Sequence, residues 1–330
     1  MKAMVLHGIK EPLTLEEVPI PTPTEGELLI QIEACGVCRT DLHIVEGDLP
    51  LSNSPLILGH QIVGVVKKAV GCKTRKEGDR VGVSWLGSTC NTCSFCKSGK
   101  ENLCKQAKFT GYNLPGGFAE YTLCKEEYSF ILPSNEKATT LAPLLCAGLI
   151  GFRAYQKIQK GKSLGFYGFG SSAHLLLQLA KQDGKEVYVF TKPGDYEGQD
   201  LAKKLGATWV GSSEEEPPVA LDGSILFAPS GELIPKALHS LERGGACVCA
   251  GIHMSDIPSF CYQDLFYEKS LSSISHLTKQ NGKDFFSALK THQITPITTI
   301  YPLDLANEAL MDLKTGKAKG SLVLKITTFP

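Results

Sequence analysis

The chain has 330 residues, 42% of them hydrophobic and 21% charged. That is long for one hydrophobic core, so two domains are expected, with the composition of a globular protein. Lysine plus arginine (34) equals aspartate plus glutamate (34), so no charge excess points to nucleic acid or an anionic membrane as a partner.

The opening stretch, MKAMVLHGIKEPL, lacks the apolar core and small-residue cleavage site of a signal peptide. No apolar run is long enough to span a membrane, since Pro143, Gly148 and Gly151 interrupt the nearest one, Leu141 to Phe152. A cytoplasmic location is therefore expected. In a reducing compartment the 12 cysteines read as metal ligands or buried thiols rather than disulfides.

The first third is rich in β-branched residues, Gly and Pro. ELLIQIEACGV and HQIVGVVKKAV read as strands, and TPTEGE and VGCKTRKEGDRV as turns or surface loops. After Gly148 strands and helices alternate. KSLGFYGFG is a strand ending in glycines, SSAHLLLQLAKQDG a helix, KEVYVFT a strand and GQDLAKKLGA a short helix. ATWVG, GSILFAPS, ELIPKALHSLERGG and ACVCAGI continue the pattern, which predicts a parallel sheet with helices on both faces. SSEEEPP is an acidic, solvated loop. NGKDFFSALKTHQITP begins another helix, and Leu305, Ala309, Leu310 and Leu313 fall at helical spacing before a last strand, SLVLKI.

Cys90, Cys93, Cys96 and Cys104 lie within fifteen residues. This is the closed four-thiolate pattern of a structural zinc site. An iron–sulfur cluster is the rival reading, but no proline follows Cys104 and no second cluster motif is present. Four bound sulfurs leave no open position for chemistry. A catalytic zinc site takes three protein ligands and keeps one position open. Cys38, His60 and Cys146 offer such a set, although each residue alone is also an ordinary core residue.

Gly168–Ala173 reads GFGSSA, matching G-x-G-x-x-G/A between a strand and a helix. Gly168 permits the turn, and Gly170 lets a pyrophosphate approach the helix N-terminus formed by Ser171 and Ser172. The ribose-binding acid expected about twenty residues on is missing. Thr191 and Lys192 stand there instead, which leaves room for a 2′-phosphate and favours NADP(H) over NAD(H).

These stretches together resemble the zinc-dependent medium-chain alcohol dehydrogenases. CGVCRTDLH, GHQIVG, STCNTCSFCKSGKENLC, GGFAEY, PLLCAG, GFGSSAH, CAGIHMSDIPSF and YPLDLANEAL occur in that family's order over essentially the whole chain. The last two look like the bacterial propanol-preferring, AdhA-like branch. The resemblance implies an α/β protein with a GroES-like β-rich catalytic domain, residues 1–147 and 279–330. A doubly wound Rossmann coenzyme domain, residues 148–278, would complete it, with the active site in the cleft between them.

It further implies two zinc ions per chain, NADP(H) or NAD(H), a small alcohol or aldehyde as substrate, and a homo-dimer or tetramer. Cys38, His60 and Cys146 would hold the catalytic zinc. Asp41 would orient His60 from behind, and Cys35 would not be a ligand. Zinc would lower the alcohol's pKa and hydride would pass to the nicotinamide. Thr40 and His43 would carry the hydroxyl proton out, and Arg39 would neutralise cofactor phosphate. Trp85 matches a substrate-side position. Leu49 stands where some relatives that prefer very small alcohols carry tryptophan, so a roomier pocket is expected. Gln61 replaces a glutamate usual in the family, which predicts a surviving site with altered kinetics. A zinc-independent quinone or enoyl reductase of the same fold would lack these cysteines. A non-catalytic zinc-binding redox sensor is the other alternative, kept open by cysteines outside the metal sets.

Overall fold

The computed structural model describes residues 1–317 and 320–326. They form two compact units. One comprises 1–146, 277–283 and 296 onward, and the other 147–276 and 284–295.

The first unit is built on the strand Glu27–Val37. Its burial alternates along the first residues, as a strand with one face in a core requires. It pairs antiparallel with Gln61–Val70, Tyr121–Lys125 and Ser321–Lys325. Ser321–Lys325 in turn pairs parallel with Thr298–Pro302, so the last strand of the sequence sits beside the first long one. Pattern alone could not place it. A β-bulge interrupts the pairing with Gln61–Val70. Ile32 faces Gly64 and Ala34 faces Val63, leaving Glu33 as the extra residue. Its carboxylate accepts from Arg80 at 2.8 Å and its carbonyl from the Ile326 N–H at 3.0 Å. From Ala34 to Val37 every residue is buried. The core around this sheet includes Leu28, Ile30, Ile32, Cys35, Ile62, Val83, Phe118 and Leu324.

The second unit holds a six-stranded sheet. In spatial order its strands are Trp209–Ser212, Glu186–Thr191, Ser163–Tyr167, Leu221–Leu226, Leu241–Cys249 and Ser270–Ser273. All neighbours are parallel. The order 3-2-1-4-5-6 is that of a doubly wound dinucleotide-binding fold, with its topological switch between the first and fourth strands. The helices Ala147–Ile158, Ser171–Gln182, Tyr196–Lys204 and Leu233–His239 belong to this unit.

Two elements differ from what the sequence pattern predicts. ELIPKALHSLERGG is not one helix. The helix stops at His239 and a strand starts at Leu241, because Leu241 pairs with Leu221 and the Leu221 N–H bonds to the Ser240 carbonyl at 2.9 Å. Arg39–Glu46 is a helix that the pattern does not mark. Among the described residues no single helix is long and apolar enough to cross a membrane.

Candidate active site and metal centres

Directly after the bulged strand comes Cys38, the N-cap of the helix Arg39–Glu46. Its sulfur accepts the Thr40 N–H at 3.3 Å, and the Asp41 carboxylate accepts the Cys38 N–H at 2.9 Å. This is a capping box with a thiol where serine usually stands. The other Asp41 oxygen accepts the Gly59 N–H at 3.1 Å and lies 3.4 Å from His60 Nδ1. The opposite ring nitrogen, Nε2, is 3.2 Å from Cys38 Sγ. Asp41 and His60 are both fully buried. Cys146, which follows the short turn Ala142–Leu145, completes the group. The ligand atoms of Cys38, His60 and Cys146 all lie within 4.8 Å of one another.

The charges of this cluster fit a metal cation. Cys38 is held well below the ordinary thiol range, chiefly by the hydrogen bond from Cys146 and then by His60 and the Thr40 N–H, against the effect of burial. Cys146 correspondingly keeps its proton. Burial pushes the His60 imidazole down, yet the negative charges of Cys38 and Asp41 outweigh it and raise it to about 10. A buried pocket that protonates its own histidine has negative charge in want of a cation. Two sulfurs and one imidazole nitrogen, with a carboxylate behind the histidine, are a donor set suited to zinc with one position left open. Cys35 is buried outside the cluster, its thiol raised by burial. Gln61, next to His60, faces Gly36 across the sheet and packs against it closely.

Trp85 stands edge-on to His60, with ring centroids 4.9 Å apart, and stacks on Phe109 at 5.1 Å and Tyr112 at 5.9 Å. Leu49 is half-buried against the same core. Its loop is tied down where Tyr112 Oη donates to the Pro50 carbonyl at 2.7 Å and Ser52 Oγ to the Tyr112 carbonyl at 2.6 Å. Phe109 and Tyr112 were invisible as site residues in the sequence, because only the chain's return past Trp85 brings them there. Thr40 is buried on the first helical turn, Arg39 is exposed beside it, and His43 lies one turn on.

The cysteine quartet forms the second cluster. Cys90, Cys93, Cys96 and Cys104 place their sulfurs within 4.8 Å of one another, with Cys93–Cys96 and Cys104–Cys90 each at 3.5 Å. Only one short helix, Ser94–Lys97, and the turn Glu101–Leu103 shape this lobe. The backbone N–H groups of Thr92 and Cys93 help pull Cys90 down to about 5, so a thiolate is at hand for a metal.

In the second unit the strand Ser163–Tyr167 runs into Gly168, whose φ of +91° and closeness to Ala228 require glycine. Gly170 is the N-cap of the helix Ser171–Gln182, with nothing crowding the position of a Cβ. Ala173 is fully buried. Thr191 ends the next strand, buried, its hydroxyl accepting from Gln199 at 3.0 Å. Lys192 is exposed. The nearby carboxylate of Asp195 caps the helix Tyr196–Lys204 through the Gly198 N–H at 3.0 Å.

Fold and site together define a two-unit dehydrogenase architecture with a mononuclear metal pocket. Comparison with known proteins agrees. The profile of the family "Alcohol dehydrogenase GroES-like domain" matches residues 24–134. The chain is 44% identical to "Probable alcohol dehydrogenase AdhA" of Mycobacterium tuberculosis (strain CDC 1551 / Oshkosh), covering 96% of this chain and 93% of that protein. It is 35% identical to an alcohol dehydrogenase of Geobacillus stearothermophilus over 99% of both. The solved alcohol dehydrogenase of Aeropyrum pernix superposes with a TM-score of 0.88 at 25% identity, covering 98% of this chain and 100% of that one. The chain belongs to the zinc-type medium-chain alcohol dehydrogenases, NAD(P)-dependent enzymes that act on small alcohols or aldehydes.

Proposed function

We propose that this enzyme interconverts primary alcohols and aldehydes, with NADP(H) favoured over NAD(H), and that it carries two zinc ions per chain. The observation that carries the reading is the convergence of Cys38, His60 and Cys146 with a buried Asp41 behind the histidine. Bound zinc would supply Lewis acidity to the substrate oxygen, and the nicotinamide would take or give the hydride.

The residues do the rest. Asp41, itself fixed by the N–H groups of Cys38 and Gly59, holds the His60 ring in one orientation. Thr40 accepts the hydroxyl proton and His43 passes it towards solvent. Trp85, with Leu49 across the loop, bounds the alkyl part of the substrate, and a leucine rather than tryptophan leaves room for propanol, butanol or aromatic alcohols. Gly168, Gly170, Ser171 and Ser172 present the turn to the pyrophosphate, with Arg39 offering a further cation to phosphate. With Asp195 committed to its helix cap, Lys192 is left to meet a 2′-phosphate. The test is an absorbance assay with NADPH and NADH separately against a panel of aldehydes. NADPH is expected to give the higher kcat/KM, and propanal or larger aldehydes to exceed acetaldehyde. A clear preference for NADH would overturn the assignment of Thr191 and Lys192, and a maximum at acetaldehyde that of Leu49.

Gln61 places a neutral amide where relatives carry a carboxylate. Gln61→Glu adds a negative charge beside His60 and lowers the effective charge of the metal. The variant is expected to retain metal and fold while its pH–rate profile moves. Identical profiles for the two proteins would count against a role for this position.

A further inference from the structure

We propose that Asp48 is a positioning residue for proton transfer, fixing the tautomer of His43 and stabilising its charged form; this rests on the proposed proton relay through Thr40 and His43. The geometry begins with the end of the helix Arg39–Glu46. Gly47 is its C-cap, with φ +85°, and a Cβ there would run into Ile9. The Gly47 N–H bonds to the His43 and Ile44 carbonyls at 3.1 and 3.3 Å, and the Leu49 N–H bonds to the His43 carbonyl at 3.2 Å. The chain therefore folds back over the last helical turn, and the Asp48 carboxylate lies 2.7 Å from His43 Nδ1.

Helix stability does not explain an acid in that place. Negative charge at a helix C-terminus opposes the macrodipole. The other acid of that last turn, Glu46, is bonded to Lys314 of the helix Ala306–Thr315 at 2.7 Å. Arg39 is the remaining charged residue of the first turn besides the buried Asp41. Asp48 is the acid bonded to the imidazole. The His43 side chain is 11% exposed and that of Asp48 42%, so the pair runs from the partly covered ring to open water.

An ionised carboxylate only accepts hydrogen bonds. Nδ1 must then carry the ring proton, and Nε2 keeps the lone pair a base needs. When a proton arrives from the alcohol hydroxyl through Thr40, Nε2 binds it and the ring becomes an imidazolium beside the carboxylate. That proton then leaves Nε2 for water, and ring and carboxylate return to their starting states. One proton enters and one leaves. The alcohol's second hydrogen departs separately, as hydride to the nicotinamide. Asp48 therefore acts through His43 rather than on the substrate, in the manner of an acid that orients a catalytic histidine.

The test measures single-turnover rates of alcohol oxidation by the zinc-loaded enzyme, so that product release does not mask the step. Asp48→Asn is expected to lower the rate about tenfold near neutral pH, within the range of acid–base contributions, with the alcohol KM and Tm unchanged. Its pH–rate profile should move relative to wild type. Asp48→Glu should recover most of the rate, and Asp48→Asn added to His43→Gln should cost nothing further. If His43→Gln is slow but Asp48→Asn keeps the wild-type rate and profile, the relay stands and the role of Asp48 is overturned. Additive losses in the double variant would overturn it too, since Asp48 would then act elsewhere. A wild-type rate for His43→Gln would overturn the relay itself and this inference with it.

Discussion

Cys38→Ser is expected to abolish alcohol oxidation while leaving the fold standing. The two halves of this result come from the two jobs of one sulfur. As a ligand, Cys38 is the low-pKa member of the trio, and a serine hydroxyl is a far weaker, protonated donor to zinc. His60 and Cys146 alone would not hold the ion in an activating geometry. A fall in kcat/KM of about a thousandfold or more is expected, the scale seen when transition-state charge stabilisation is removed. As an N-cap, however, serine is at least as good as cysteine. Its oxygen can accept the Thr40 N–H that now bonds to sulfur, and the Asp41 half of the capping box is untouched. Steady-state kinetics, zinc analysis and calorimetry on the same sample check this. The expected outcome is one zinc per chain instead of two, no turnover, and a Tm close to wild type.

Cys96→Ser should show the opposite order of damage. The lobe from Cys90 to Cys104 has a four-residue helix, a single turn and little apolar burial. Nothing in its own side chains replaces a metal cross-link, so metal binding there is folding energy. Its neighbours depend on it. Glu101, within the lobe, accepts the Lys279 N–H at 2.7 Å, and Lys279 reaches Glu127 at 2.6 Å. Losing the fourth thiolate should cost a few kcal/mol, comparable to removing a structural disulfide, and lower Tm by about 10 °C. Activity measured well below the new Tm should persist in the fraction that stays folded. If Cys96→Ser keeps its thermal stability and loses activity, the catalytic and structural assignments are reversed.

The parts of this molecule that the sequence displays are those whose physics is local. The alternation of strand and helix after Gly148 follows from side-chain periodicity, and the quartet is legible because its ligands share one loop. The other metal cluster is scattered, with His60 22 residues beyond Cys38 and Cys146 far from both. Each member looks like an ordinary core residue until the sheet closes. The helix Arg39–Glu46 is hidden in the sequence because its N-cap is a thiol and its apolar face is only Leu42 and Ile44. Asp48, Phe109 and Tyr112 carry no motif. Their relevance depends on a C-cap turn and on a strand return, which are tertiary facts. The misplaced end of the helix at His239 has the same origin, since pairing with Leu221 converts residues that helical spacing had claimed.

The single unpaired residue at Glu33 bears on how this chain tolerates change. In a strand, facing is set by counting, and one residue more or less turns every later side chain over. Ala34 to Val37, and through them the entry of Cys38 into its helix, owe their orientation to that count. At Glu33 the carbonyl contact to Ile326 does not depend on which side chain is present. Identity there is negotiable and length is not. The metal pocket thus inherits its aim from a spacer that never touches it, and deleting that one residue ahead of the first ligand-bearing helix would be a change of phase rather than a loss of contact.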